Sequence, residues 1–287
     1  MCKITKAVIP AAGVGTRVLP MSKALPKEMF PIVDKPAIQY IIEEAVNSGI
    51  TDILIITNRG KNIIENYFDY SPELENYLLK YNKLEYLEFI NKIYKIANIF
   101  FVRQNEARGL GHAISKARAF VNNQPFAVLY ADDLIISKEP VCSLLIKAYY
   151  EFGLSVVGVQ KLSLKEIVKC SSLEVQKIRE NIFKCTNMIE KPKVSEIMSS
   201  YAILGRCILS PEIFEIIDKT CAGFGNEIQL TDAMKVLAQT RGMTAVNYAG
   251  KRYDIGSKLG YALAYADIAV NHKEIGRDFK KYIKNLI

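Results

Sequence analysis

No run of apolar residues in this sequence approaches the roughly 20 that a membrane-spanning helix requires, and no long apolar core follows the charges of its N-terminus. A soluble, cytoplasmic protein with no membrane partner is expected. Histidine is scarce, at two residues, and the six cysteines (Cys2, Cys142, Cys170, Cys185, Cys207 and Cys221) form no C-x-x-C pair and stand at no zinc-like spacing from a histidine. Ordinary reduced thiols are expected rather than a zinc site. The cations are not gathered into blocks either. A net charge of +8 is scattered among acids and no nucleic-acid reader motif occurs, so no nucleic-acid partner is expected and the excess suits small anionic substrates. No repeat, low-complexity segment or Pro/Gly/Ser-rich linker divides the 287 residues, half of them hydrophobic. They are read as one domain.

Two further absences bear on the stretch from Lys6 to Asp34, around which the chain is organised. Ala7, Val8 and Ile9 read as a buried strand that breaks into Ala11-Ala12-Gly13-Val14-Gly15-Thr16-Arg17. A dinucleotide fingerprint needs a third glycine where Val18 stands, and Pro20 interrupts the helix it would open. No G-x-x-x-x-G-K-[ST] string exists, so the P-loop reading fails as well. What is present is a glycine turn whose amides can approach a ligand closely, followed by Arg17, Lys23 and Lys27. Amide donors and fixed positive charge on one loop are what phosphates need. A phosphate-binding enzyme is expected.

Beyond this loop the pattern is strand, helix, strand. Ile38, Ile41, Ile42, Ala45 and Val46 follow helical spacing to a cap at Gly49, and Ile53–Ile56 lacks alternation, as a strand buried on both faces does. Residues 61–68 read as a short helix, and a helical stretch from Ser71 to about Tyr94 reads as an insertion for packing or subunit contact. A strand at Ile99–Val102 delivers Gln104 at its end, and Gly109-Leu110-Gly111-His112 opens a helix through Val121. Phe126–Ala131 is a further buried strand, ending in Asp132-Asp133. Paired acids there suit magnesium, since a hard cation takes carboxylate and phosphate oxygens together. A helix at 139–152 and a strand at 154–159 follow, then short strands near 172–176, 182–190 and 200–209, read as a subregion rather than a separate domain. Helices over 227–240, 257–272 and 276–285 and a strand at 243–248 complete the expectation.

Gly13-Val14-Gly15-Thr16-Arg17 followed by Pro26-Lys27-Glu28-Met29 resembles the signature of sugar-phosphate nucleotidylyltransferases, most closely the bacterial UTP–glucose-1-phosphate uridylyltransferases. The likeness extends through Asp34-Lys35-Pro36, Gly109-Leu110-Gly111-His112, Glu190-Lys191-Pro192, Glu227-Ile228-Gln229-Leu230-Thr231-Asp232 and Lys258-Leu259-Gly260-Tyr261. Each motif is weak alone; the ordered set is specific. The resemblance implies an α/β, Rossmann-like three-layer fold with a central, mostly parallel mixed sheet and a small sugar-binding β subregion. Within a single domain, residues 1–160 would be the nucleotide-binding part, 161–256 the sugar-binding part and 257–287 C-terminal helices.

It also implies roles. Arg17, Lys27 and Lys191 would be catalytic; Ala11, Ala12, Gly13, Gly15, Gln104, Gly109, Gly111 and Asp132 would bind the nucleotide, with Gln104 and the Gly111 backbone on the uracil. Glu190, Lys191 and Ser171 would meet the sugar phosphate, and Asp132 with Asp254 would hold Mg²⁺. His112 is read as structural. UTP and glucose 1-phosphate would be substrates, UDP-glucose and pyrophosphate products, and the assembly a homodimer or homotetramer. Rival readings are a thymidylyltransferase of the same fold and a non-catalytic sugar-nucleotide binding protein. Two departures stand out: Cys170-Ser171-Ser172 replaces the family's usual Tyr-Gly-Val, and Asn226 replaces the acid before Glu227.

Overall fold

Ala7 and Ile9 join one buried cluster while Val8, between them, joins another, so the first strand is covered on both faces. Ile53 and Ile55 likewise face the first cluster, Leu54 and Ile56 the second. This explains the unbroken apolar runs. The computed structural model describes residues 3–286. Cys2, read as a reduced thiol, lies outside them; Cys142, Cys170, Cys185, Cys207 and Cys221 are free thiols.

Strand β1 (Lys6–Pro10) runs into three short 3₁₀ turns and a small hairpin of β2 (Pro31–Ile32) and β3 (Lys35–Pro36). Helix α1 (Ala37–Asn47), β4 (Asp52–Thr57), α2 (Asn62–Phe68), α3 (Pro72–Lys80), α4 (Leu84–Tyr94) and β5 (Asn98–Arg103) follow. Next come α5 (Leu110–Ser115), α6 (Arg118–Val121), β6 (Phe126–Leu129), β7 (Asp133–Ile136), α7 (Val141–Phe152) and β8 (Ser155–Lys161). The chain continues through α8 (Leu164–Ile167), β9 (Ser171–Arg179), β10 (Ile182–Glu190), β11 (Tyr201–Leu209) and α9 (Ile213–Lys219). It finishes with α10 (Leu230–Thr240), β12 (Met243–Asn247), β13 (Lys251–Asp254), α11 (Lys258–Asn271) and α12 (Gly276–Leu286).

Nine strands form one mixed sheet in the order β5-β4-β1-β6-β11-β8-β12-β10-β9. The pairs from β5 through β6 are parallel, as is β8 with β12, while β11, β10 and β9 pair antiparallel. Helices α1, α2 and α7 cover one face, and α5, α6, α9 and α10 the other, giving three layers. The three strands read as a subregion are thus members of the central sheet.

Other differences have local causes. The stretch read as one helical region over 71–94 is two helices, because Asn82 adopts a left-handed conformation (φ 51°) that ends α3. The helix expected from Glu227 starts at Leu230, since residues 227–229 are held by backbone bonds described below. The ribbon of β7 and β13 was not legible: four residues each, they pair only with one another and place Asp133 opposite Asp254.

Candidate active site

The glycine turn and the acids meet at the carboxyl ends of β1 and β6, where open α/β sheets gather ligands. Arg17, in a single 3₁₀ turn (Thr16–Val18), donates from Nη1 to Asp254 Oδ2 at 2.7 Å and from Nη2 to Asp254 Oδ1 at 3.2 Å. The same Nη2 lies 3.8 Å from Asp132 Oδ2. Lys27 Nζ donates to Asp132 Oδ2 at 2.5 Å, with its side chain 13 % exposed. Burial pushes the Asp132 carboxyl up, but Lys27, Arg17 and Arg252 outweigh it and hold Asp132 below its ordinary range. Burial likewise opposes the charges of Arg17 and Lys27, and their carboxylate partners more than compensate, raising both. Asp133 is different: burial pushes it up to about 6 against the pull of Arg252, whose Nε donates to Asp133 Oδ1 at 2.7 Å.

Two clefts share this centre. One, of 460 Å³, is lined by Ala12, Gly13 and Val14, by Gln104, Gly109 and Leu110, and by Arg17, Lys27 and Asp132. The other, of 180 Å³, is lined by Cys170, Ser171, Glu190, Thr231, Arg252 and Asp254, and again by Arg17, Leu110, Tyr130 and Asp132. Ala11, Gly15, Gly111 and Lys191 line neither. Gln104 Nε2 donates to the Gly109 carbonyl at 3.1 Å and lies 3.1 Å from His112 Nδ1, so His112 positions this amide.

The Gly109-Leu110-Gly111 motif has a packing reason. A Cβ on Gly109 would lie 2.7 Å from both Glu227 Cβ and the Ile228 carbonyl oxygen, and Gly109 has φ 100°. The Gly111 N–H donates to the Ile228 carbonyl and the Ile228 N–H to the Arg108 carbonyl, each at 2.8 Å. These glycines let the segment before α10 lie against the start of α5, and the Gly111 amide is spent on that contact. Thr231, one turn on, donates to Glu190 Oε2 at 2.8 Å. Motifs distant in sequence therefore meet pairwise. Lys191, after Glu190, adopts φ 45° and its N–H donates to the Cys170 carbonyl.

Both departures from the family pattern have structural accounts. Asn226 sits at φ 58°, a conformation that asparagine tolerates well. Ser171, paired opposite Glu190, is 3 % exposed, and its Oγ accepts the Ile203 N–H at 3.0 Å. The hydroxyl is bonded into the sheet. Ser171→Ala is expected to lower stability by about 1–3 kcal/mol, the cost of an unpaired buried amide. Urea unfolding checks this, and a loss of only a few tenths would show that the hydroxyl holds nothing.

Whether the acids suit a divalent cation follows from Gly256. A Cβ built there would stand 2.7 Å from Arg17 Nη2, 3.0 Å from Asp254 Oδ1 and 3.1 Å from Asp132 Oδ2, so glycine lets the two carboxylates converge, with the Arg17 guanidinium between them where a cation would share their charge. Among the described residues no third His, Cys, Asp or Glu joins them. Two carboxylates leave the remaining positions of a hard cation to phosphate and water, which suits Mg²⁺ bound with a nucleotide. Unassigned in the sequence reading were Asn58, Lys61, Arg252 and Thr231. Asn58 and Lys61 follow the carboxyl end of β4, and that position is the one signal that pointed to them.

A three-layer α/β fold with a glycine turn and cations paired to acids at its strand ends is the architecture of a nucleotide-handling enzyme class. The nucleotidyl transferase family matches residues 6–270. The UTP–glucose-1-phosphate uridylyltransferase of Staphylococcus epidermidis is 44 % identical over 286 residues, covering 100 % of this chain and 99 % of that protein. The Bacillus subtilis protein of the same name is 43 % identical over 287 residues, covering 100 % and 98 %. Among solved structures, a UTP-bound UGPase from Acinetobacter baumannii superposes with a TM-score of 0.92 at 35 % identity, over 99 % of this chain and 100 % of that one. A UDP-glucose pyrophosphorylase complexed with UDP-glucose gives 0.85 at 41 % identity, over 92 % and 98 %. The chain belongs to the nucleotidyl transferase family and, within it, to the UTP–glucose-1-phosphate uridylyltransferases.

Proposed function

We propose that the protein forms UDP-glucose and pyrophosphate from UTP and glucose 1-phosphate. The observation that carries this reading is the set Arg17, Lys27, Asp132 and Asp254 placed where two unequal clefts join. The nucleotide takes the larger cleft, its triphosphate along Ala12–Val14 and its base beside Gln104, whose amide matches the imide edge of uracil. The sugar phosphate takes the smaller cleft, with Glu190 toward sugar hydroxyls and the next residue, Lys191, which lines neither cleft here, turning to the phosphate when it binds. A phosphate oxygen of glucose 1-phosphate attacks the α-phosphorus, and the bond from that phosphorus to the bridging oxygen breaks in line, releasing pyrophosphate. The nucleophile is already anionic near neutral pH, so no side chain need take a proton. Arg17 and Lys27 lower the barrier by meeting charge that gathers on the leaving pyrophosphate. Mg²⁺ held by Asp132 and Asp254 would supply further neutralisation of the phosphate oxygens.

Residues 1–160 serve as the nucleotide part, 161–256 as the sugar part and 257–287 as C-terminal helices in this reading. Among the described residues no helix is long and apolar enough to cross a membrane. A cytoplasmic homodimer or homotetramer fits the exposed aromatics Tyr77 and Tyr81 of α3 and its cap and Tyr86 and Phe89 of α4, which offer a subunit contact.

The test is pyrophosphate release with Mg²⁺, crossing UTP and dTTP with glucose 1-phosphate and galactose 1-phosphate. UTP with glucose 1-phosphate should give the highest kcat/KM. Silence of the folded protein in all four combinations would overturn the proposal.

A further inference from the structure

The three carbonyl oxygens that follow β1 are all bound by side chains of one neighbouring loop. Lys61 Nζ donates to the Ala11 carbonyl at 2.5 Å and to the Gly13 carbonyl at 2.7 Å, and Asn58 Nδ2 donates to the Ala12 carbonyl at 2.5 Å. The third Lys61 donor goes to Glu28 Oε2 at 2.8 Å. Lys61 is 6 % exposed and Glu28 1 % exposed. An ammonium has three donors, so this lysine has none left for a ligand. Its charge lies beneath the glycine turn, where Arg17 and Lys27 reach the acids beside the cleft.

The peptide unit is planar and trans, so the N–H of each residue points opposite to the carbonyl before it. Fixing the carbonyls of Ala11, Ala12 and Gly13 therefore fixes the amides of Ala12, Gly13 and Val14. Those are the three consecutive residues that line the larger cleft. A carbonyl turned toward a phosphate would repel it, whereas an amide binds it. Glu28 adds a second link: it adjoins Lys27, so the grip on Lys61 also ties the turn that carries Lys27 to the glycine turn.

We propose that Lys61, assisted by Asn58, is the positioning residue of the triphosphate loop, holding its carbonyls back so that its amides face a nucleoside triphosphate. The proposal rests on the nucleotidyl-transfer reading above.

Its test uses Lys61→Met, which keeps length and loses the donors, and Asn58→Ala, which frees one carbonyl. Binding of UTP with Mg²⁺ is measured by calorimetry, alongside KM for each substrate and the thermal midpoint. In Lys61→Met the UTP dissociation constant and KM should rise about tenfold or more, as expected for loss of charge-assisted bonds. KM for glucose 1-phosphate should stay within about twofold, since no sugar-side residue is touched. Asn58→Ala should show the same split, smaller in size. Unchanged UTP affinity in folded Lys61→Met, or an equal rise in both KM values, would overturn the proposal. Should Lys61→Met fail to fold, folded Asn58→Ala with wild-type UTP affinity would overturn it. Wild-type protein that binds UTP without releasing pyrophosphate would sink the transfer reading alone, while the binding comparison still decides the role of Lys61. Wild-type protein that binds neither UTP nor dTTP would sink both.

Discussion

Replacing Lys27 by alanine is expected to lower turnover by about 10²–10³-fold, the range seen when one preorganised charge or donor is removed from a transition state. Lys27 Nζ is bonded to Asp132 at 2.5 Å, and a Cβ on Gly13 would lie 3.9 Å from it, so this ammonium holds the acid and stands beside the glycine turn. Arg17→Ala should act in the same direction, because Arg17 spans Asp254 and Asp132. Stability should change much less in Arg17→Ala, by about 1 kcal/mol, since that side chain is 59 % exposed and solvent screens the loss, and somewhat more in Lys27→Ala, whose side chain is 13 % exposed. Single-turnover pyrophosphate release and thermal unfolding, measured on the same preparations, separate the two effects. Full turnover in both variants would strip these residues of their role.

The largest stability effect is expected away from the clefts. Arg206 on β11 is 1 % exposed, and its Nε donates to Glu44 Oε1 and Oε2 at 3.0 and 3.1 Å while Nη2 donates to Oε2 at 2.7 Å. Nη1 donates to the Gly205 carbonyl at 3.0 Å, and Glu44 Oε1 also accepts the Cys142 N–H at the start of α7. One pair thus joins α1, α7 and the central sheet. Arg206→Met should cost about 3–5 kcal/mol in urea unfolding, because it leaves Glu44 buried without its cation. Adding Glu44→Leu should recover much of that loss, the Cys142 amide remaining the uncompensated group. A single variant within about 1 kcal/mol of wild type would show the pair to be energetically idle.

How much of this was legible depended on whether a signal was local. Ala7–Ile9 and Ile53–Ile56 declared buried strands because both faces of each are covered, and α1 declared itself by spacing. Arg17, Lys27, Asp132 and Asp254 were named from motif and strand-end position, and the structure joins them by direct ion pairs. What stayed hidden depends on partners far along the chain. The four-residue strands β7 and β13 are defined by each other, and residues 227–229 are extended because Arg108 and Gly111 hold Ile228. Lys61 had only its place after β4 to mark it: the carbonyls it holds lie some fifty residues earlier. Arg206 drew no reading from the sequence, since its partner Glu44 stands 162 positions earlier.

The placing of β11 between β6 and β8 governs the order in which the molecule can be assembled. β6 and β8 are made before it, yet neither pairs with the other; each bonds to β11. During synthesis the half-sheet β5-β4-β1-β6 therefore ends in an open, fully apolar edge until Tyr201–Leu209 arrives. Such an edge invites pairing with a neighbouring chain. The nascent protein is thus most vulnerable to aggregation over the interval between these segments, and a chain truncated before residue 201 keeps that vulnerability permanently.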